Sequence, residues 1–337
     1  MIEEIQNVAI RGISAAVPKR SVEVTECRLE GNWERFSRMT GIERRRIAPP
    51  EMFTLDLAEA AARALLDDLA WSPSSIDILT FVTQTPDMAV PAMACLLQHR
   101  LGLSRHVAAK DVGLGCSGYP YGLVDVGRHL SAPRKRALLI VGETTGKAKE
   151  FTYAPMFGDA VSATALEAAT YHDLLAELMT DGSRWDAISE RSVKGNPPAE
   201  MTVVDGEPKL ETHYTLKGPD IMKFALTEVP PAIERMSLEA GVARADLDAV
   251  IFHQANDAIN AKLRQRCGLS PEQTPGTLAD FGNTSSATIP LTMVVKCGQR
   301  LRERSSRMIL CGFGVGLSWG TVFTRVGPIA CPSLIEI

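Results

Sequence analysis

The chain has 337 residues, of which 45% are hydrophobic and 23% charged, with a formal net charge of −4. That balance can bury a sizeable core, and it excludes a protein that holds nucleic acid or anionic lipid by a general excess of positive charge. The seven cysteines, at positions 27, 95, 116, 267, 297, 311 and 331, are odd in number and widely scattered. They match neither a disulfide framework nor the short paired spacing of a zinc site. The opening MIEEIQNVAIRG lacks a basic segment followed by a long apolar one. No stretch reaches the roughly 18 uninterrupted apolar residues of a membrane span. These features lead us to expect a reduced, cytoplasmic protein.

Along the chain, short apolar runs alternate with longer helical patterns. Val8–Ile13 reads as a strand, Phe53–Leu69 as a helix, Ile76–Thr83 as a buried strand and Pro91–Leu103 as a helix. Strands follow at Ala137–Gly142 and Ala160–Glu167. The stretch Glu167–Lys217 is irregular and rich in Gly and Pro, and is expected to form loops and strands, with a cover over a substrate entrance. The second half repeats the pattern, with helices at Pro219–Gly241, Asp257–Gly268 and Thr288–Leu301. Its strands are Ala249–His253, Met308–Phe313 and Leu317–Val326. Such alternation implies βαβ units and sheets covered on both faces. Periodicity alone leaves a duplicated layered body and a doubly wound sheet both open.

Three stretches carry chemistry. In Gly115-Cys116-Ser117-Gly118, small residues surround a thiol just before a helix. Such a position permits close substrate approach, and the helix dipole there favours thiolate. Alone it competes with an inert core cysteine, since free Cys is commonly buried. The segment Ile251-Phe-His253-Gln-Ala-Asn256 ends an apolar strand with polar groups, where α/β folds place reactive residues. The segment Phe281-Gly-Asn283-Thr-Ser-Ser286 precedes a helix, and in isolation reads as a cap or turn.

In this order, the three stretches resemble β-ketoacyl-[acyl-carrier-protein] synthase III. Gly312-Phe-Gly-Val-Gly316-Leu-Ser-Trp319-Gly320, Phe157-Gly-Asp159 and Thr40-Gly-Ile42 add to a likeness that spans residues 8 to 325. The resemblance implies an α/β, thiolase-like, duplicated α-β-α-β-α layered fold with two mixed, mainly parallel sheets. Residues 1–168 would carry the nucleophile, and residues 169–337 the histidine and asparagine. It implies that Cys116 accepts an acyl group from an acyl-CoA, with oxyanion donors in the backbone N–H groups of Cys116 and Val315. His253 and Asn283 would then polarise a malonyl thioester for a decarboxylative Claisen condensation. Trp33, Arg38, Val90, Phe157, Asn256 and Gly218 are the implied substrate-binding positions. No cofactor and no metal are implied, coenzyme A thioesters being substrates. The implied partners are an acyl carrier protein and a second copy in a homodimer, with no nucleic acid and no membrane.

Departures from the family bear on substrate. Val315 stands where the family has glycine, so its backbone must be one valine can adopt. Trp33 lies two residues farther from Thr-Gly-Ile than the family tryptophan that grips coenzyme A. Ala258 replaces an arginine that helps dock the carrier protein, with Lys262, Arg264 and Arg266 following on the same helix. Val90 is smaller than the aromatic residue common there, which predicts tolerance of acyl chains longer than acetyl. These changes suggest a specialised member, from a polyketide, lipid or surface-polysaccharide pathway. Two further readings stand beside condensation. One is acyl transfer from Cys116 to a hydroxyl or amine, with His253 as general base; the other is a non-catalytic partner in a heterodimer.

Overall fold

The computed structural model describes residues 1–26, 33–147, 154–170, 174–191, 201–204, 207–210 and 213–337. Cys27, Lys149 and several parts of the expected cover lie outside the described residues. In chain order, two sheets are built from β1 (Glu3–Ile5), β2 (Val8–Val17), β3 (Ile78–Val82), β4 (Ala108–Val112), β5 (Arg136–Glu143) and β6 (Ala160–Ala168). They continue with β7 (Leu174–Thr180), β8 (Ala249–Phe252), β9 (Ser306–Gly314), β10 (Ser318–Val326) and β11 (Ile335–Glu336). The helices are α1 (Trp33–Thr40), α2 (Thr54–Asp68), α3 (Met93–Leu101), α4 (Gly118–His129), α5 (Gly218–Glu239), α6 (Asp257–Cys267), α7 (Leu278–Phe281) and α8 (Thr288–Glu303). No described helix is long and apolar enough to cross a membrane.

The strand order is β11-β2-β6-β5-β3-β4 in one sheet and β1-β7-β10-β9-β8 in the other. Three clusters of buried side chains define the layers between and outside them. The central cluster joins both sheets to α4 and α8, through Leu123, Val126, Ile289 and Met293 among others. A second seats α2 and α3 on the outer face of the first sheet, through Leu57, Ala61, Leu65 and Leu97. The third seats α5 and α6 on the second sheet, through Phe224, Ile233 and Leu263. The outcome is five layers, helix-sheet-helix-sheet-helix.

The expectation of mainly parallel sheets holds only for the first. There β11–β2, β5–β3 and β3–β4 run parallel, whereas β2–β6 and β6–β5 are antiparallel. In the second sheet β8–β9 is parallel, and the β9–β10, β10–β7 and β7–β1 pairs are antiparallel. The cause is local: β9 and β10 are joined by the tight Val315–Leu317 turn, which can only return the chain alongside itself. Two strands near the ends of the chain also join sheets built mostly from the opposite half of the sequence. β1 completes the second sheet and β11 the first.

At the C-terminal end of β5 the backbone of β6 leaves no room for a side chain. A Cβ on Gly142 would lie 2.5 Å from the Cα of Val161, which is opposite it in register. Backbone cannot swing aside as a side-chain tip can. Gly142→Ala is expected to lower stability by about 1–3 kcal/mol, read as a lower denaturation midpoint at unchanged slope.

Candidate active site

Cys116 sits in the turn between β4 and α4, with Ser117 as the N-cap residue of that helix. Gly118 N–H donates to Gly115 O at 2.6 Å and closes the turn. The turn presses directly on β9. A Cβ on Gly312 would lie 2.8 Å from Cys116 O, and one on Gly314 would lie 2.5 Å from Cys116 Cβ and 2.8 Å from its Sγ. Glycine at both positions is thus a packing requirement of the nucleophile.

The residue after that strand, Val315, has its carbonyl held by a pair of serines. Ser318 Oγ donates to Val315 O at 2.6 Å, and Ser117 Oγ pairs with Ser318 Oγ at 2.7 Å. The N–H of Val315 donates toward the Cys116 sulfur. Valine is compatible here because the positive φ of the turn falls on Gly316, at 138°, and not on residue 315.

His253 follows the last residue of β8, and its N–H donates to Cys311 O on β9 at 2.8 Å. Its ring is buried, lies edge-on to Phe313 at 5.6 Å, and pairs through Nδ1 with Thr288 Oγ1 at 2.8 Å. Asn283 is held by backbone pairing with the Phe157 segment: Asn283 N–H donates to Met156 O at 2.8 Å, and Gly158 N–H donates to Asn283 O at 3.2 Å. Its side-chain Oδ1 accepts the N–H of Ser285 at 2.8 Å. That bond fixes which end of the amide is the oxygen and leaves Nδ2 as a free donor. To give it, Ser285 adopts φ +50°, a conformation uncommon for a non-glycine residue and often found at functional sites.

Cys116, His253, Asn283 and Val315 line one narrow cavity of about 80 Å³. Phe157, Asn256 and Gly218 line it too. Asn256 also caps α6, its Oδ1 accepting Ile259 N–H at 2.9 Å. Trp33, Arg38 and Val90 are not brought to this cavity. Trp33 packs edge-on against Phe36 at 5.9 Å, Arg38 is exposed, and Val90 is 81% exposed.

Burial dominates the titration of the site. The Cys116 thiol is pushed up to about 11 by burial, with the charge of Glu143 adding to the rise. The N–H groups of Val315 and Cys116 and the Ser285 hydroxyl oppose it without winning. The helix-dipole expectation of a resting thiolate is therefore not met, because desolvation of the anion outweighs the dipole. Burial likewise pushes His253 down to about 3, so the ring is neutral at physiological pH.

Glu143, at the end of β5, is pushed up to about 7 by burial. It accepts from Thr85 Oγ1 at 2.8 Å, Thr83 Oγ1 at 3.1 Å and Ser286 Oγ at 3.2 Å, and from the N–H groups of Gln84 and Thr85. It thereby ties the strand-end loop after β3 to the Asn283–Ser286 loop. Sequence reasoning passed over Glu143, Ser285 and Thr288. The one available signal was an acidic residue closing the apolar run Ala137–Gly142.

The family model for the C-terminal part of 3-oxoacyl-[acyl-carrier-protein] synthase III matches residues 238–326, the segment that holds His253, Asn283 and Val315. A β-ketoacyl-[acyl-carrier-protein] synthase III of Agrobacterium fabrum is 32% identical over 329 residues, covering 94% of this chain and 98% of its own. The chain belongs to that family. It is an acyltransferase of the condensing type, with the thiolase fold. A second relative, β-ketoacyl-[acyl-carrier-protein] synthase III 1 of Bacillus cereus, is 31% identical and covers 95% of this chain and 99% of its own. A 3-oxoacyl-(acyl-carrier protein) synthase from Burkholderia xenovorans LB400 superposes with a TM-score of 0.91 at 32% identity, covering 100% of this chain and 99% of that one.

Two measurements check this geometry. Alkylation of Cys116 by iodoacetamide should rise about tenfold per pH unit up to at least pH 10, since only thiolate reacts. A plateau near pH 8.5 would mean that the thiol is not raised. Gly314→Ala should abolish acyl labelling of Cys116, followed by intact-protein mass spectrometry, because the new methyl occupies the space of the sulfur.

Proposed function

We propose that an acyl-CoA acylates Cys116 and that the acyl group is then joined to a malonyl thioester by decarboxylative Claisen condensation. The observation that carries this reading is the convergence of the Cys116 sulfur, the Val315 N–H and the Asn283 amide on one cavity with His253. In the first half-reaction the sulfur attacks the thioester carbon, and the thiol proton leaves with coenzyme A. The Val315 and Cys116 N–H groups receive the oxyanion. In the second, the malonyl unit loses carbon dioxide while Asn283 Nδ2 and the His253 ring stabilise the enolate oxygen. The enolate carbon attacks the acyl carbon, the C–S bond breaks, and the released thiolate takes up a proton.

Phe157, Asn256 and Gly218 flank the path of the thioester in this reading. The malonyl carrier is an acyl carrier protein docked near α6, the protein acts as a homodimer in the cytoplasm, and residues 1–168 and 169–337 are its two duplicated halves. One observation favours the second reading, transfer to a hydroxyl or amine. Thr288 Oγ1 is placed to donate to Ser285 O and to accept from His253 Nδ1, an arrangement that leaves Nε2 able to act as a base.

The deciding experiment offers malonyl thioester together with an acyl-CoA primer. Release of carbon dioxide equal to the product formed is expected. Asn283→Ala should cut that release by about 100-fold, the size expected for one lost donor, while Cys116 still becomes acylated. Acyl transfer with no carbon dioxide would overturn condensation in favour of a heteroatom acceptor.

A further inference from the structure

The Thr288 hydroxyl stands between two acceptors and has one proton to give. Its Oγ1 lies 2.9 Å from Ser285 O and 2.8 Å from His253 Nδ1, with all three residues buried. A carbonyl oxygen can only accept. If the hydroxyl donates to Ser285 O, it must accept from His253, so the ring carries its proton on Nδ1 and presents a bare Nε2 to the cavity. If the hydroxyl turns to His253, Nδ1 is the acceptor and the neutral ring carries its proton on Nε2, as a donor. Thr288 Oγ1 is placed to donate to Ser285 O at 2.9 Å, and this is the first setting.

The surroundings hold Thr288 in place while leaving that proton free to choose. Thr288 O accepts from Thr292 Oγ1 at 2.8 Å, and Thr292 Oγ1 pairs with Thr277 Oγ1 at 2.9 Å. The opposite side of the His253 ring is fixed by Phe313. In this arrangement the direction of the Thr288 O–H bond decides which ring nitrogen of His253 carries the proton.

We propose that Thr288 is the positioning residue that selects the tautomer of His253, with the hydroxyl on Ser285 O at rest and on His253 Nδ1 when a malonyl thioester occupies the cavity. This rests on the condensation reading. Enolate formation needs an N–H from His253 directed into the cavity, and Ser285 O, an acceptor, cannot supply the partner that the proton-free Nδ1 then requires. Thr288 is the described side chain paired with Nδ1 that can. The change moves the ring proton from Nδ1 to Nε2 with no net gain or loss, the exchange running through solvent or substrate.

The test pairs two variants with a spectroscopic reading. Thr288→Val keeps the shape and removes the hydroxyl, so that no Thr288 proton is left to pair with a bare Nδ1. It should lower malonyl decarboxylation by about 100-fold and acylation of Cys116 far less, and Thr288→Ser should restore decarboxylation. Equal losses in both half-reactions, or a Val variant as fast as the parent, would overturn the proposal. Should the Val variant not fold, ¹⁵N NMR of His253 in the parent decides. A protonated Nδ1 at rest and a protonated Nε2 with a non-decarboxylating malonyl thioester analogue are expected, and one unchanged tautomer overturns the idea. A parent enzyme that releases no carbon dioxide would sink the condensation reading instead, and the resting tautomer can still be read.

Discussion

The approach of the Cys116 turn to β9 governs the site. Without Cβ atoms on Gly312 and Gly314, Cys116 lies directly on the strand that leads into the Val315–Leu317 turn. That contact brings together the start of α4 from one sheet's connections and the closing hairpin of the other. It places a backbone donor on the sulfur, while the Ser117–Ser318 pair holds the carbonyl of the following Val315–Gly316 peptide. A donor fixed in this way needs no rearrangement as negative charge develops, which is how preorganised dipoles accelerate acyl transfer.

The same compression disfavours charge throughout the site. Cys116 keeps its proton, His253 lacks one, and Glu143 is raised to about neutrality, all because burial penalises the charged forms. The site is built from neutral dipoles: two backbone N–H groups, one amide and hydroxyls. An ion pair between Cys116 and His253 at rest would require separating charge in a space that disfavours both ions.

Much of this was legible in the sequence, since short motifs specify short-range geometry. Cys116, His253 and Asn283 were identified by their order and neighbours, and the elements flanking them fell where apolar periodicity put them. Other features depend on tertiary contact. The antiparallel character of the second sheet follows from how β7, β9 and β10 pair, which no run of residues declares. The raised Cys116 thiol follows from desolvation by its tertiary neighbours, not from its distance to a helix start. Ser285 reads as an ordinary serine until its φ of +50° is seen, and Val315 reads as a departure until the positive φ is found one residue later. Trp33, Arg38 and Val90 were picked out by analogy of position, and the cavity does not include them.

The exchange of end strands has a consequence for how the chain is made. β1 precedes the other strands of both sheets in the chain but has no partner until β7, Leu174–Thr180, has followed it. β2 has its β11 neighbour only when Ile335 and Glu336 are in place. Synthesis therefore delivers a first sheet with one edge open and β1 unpaired, until β7 and then β11 are in place. Such long loop closures slow folding and leave strand edges exposed in the interim. The nascent chain is most vulnerable to aggregation in the interval before both edges close, although the finished molecule shows no trace of that order.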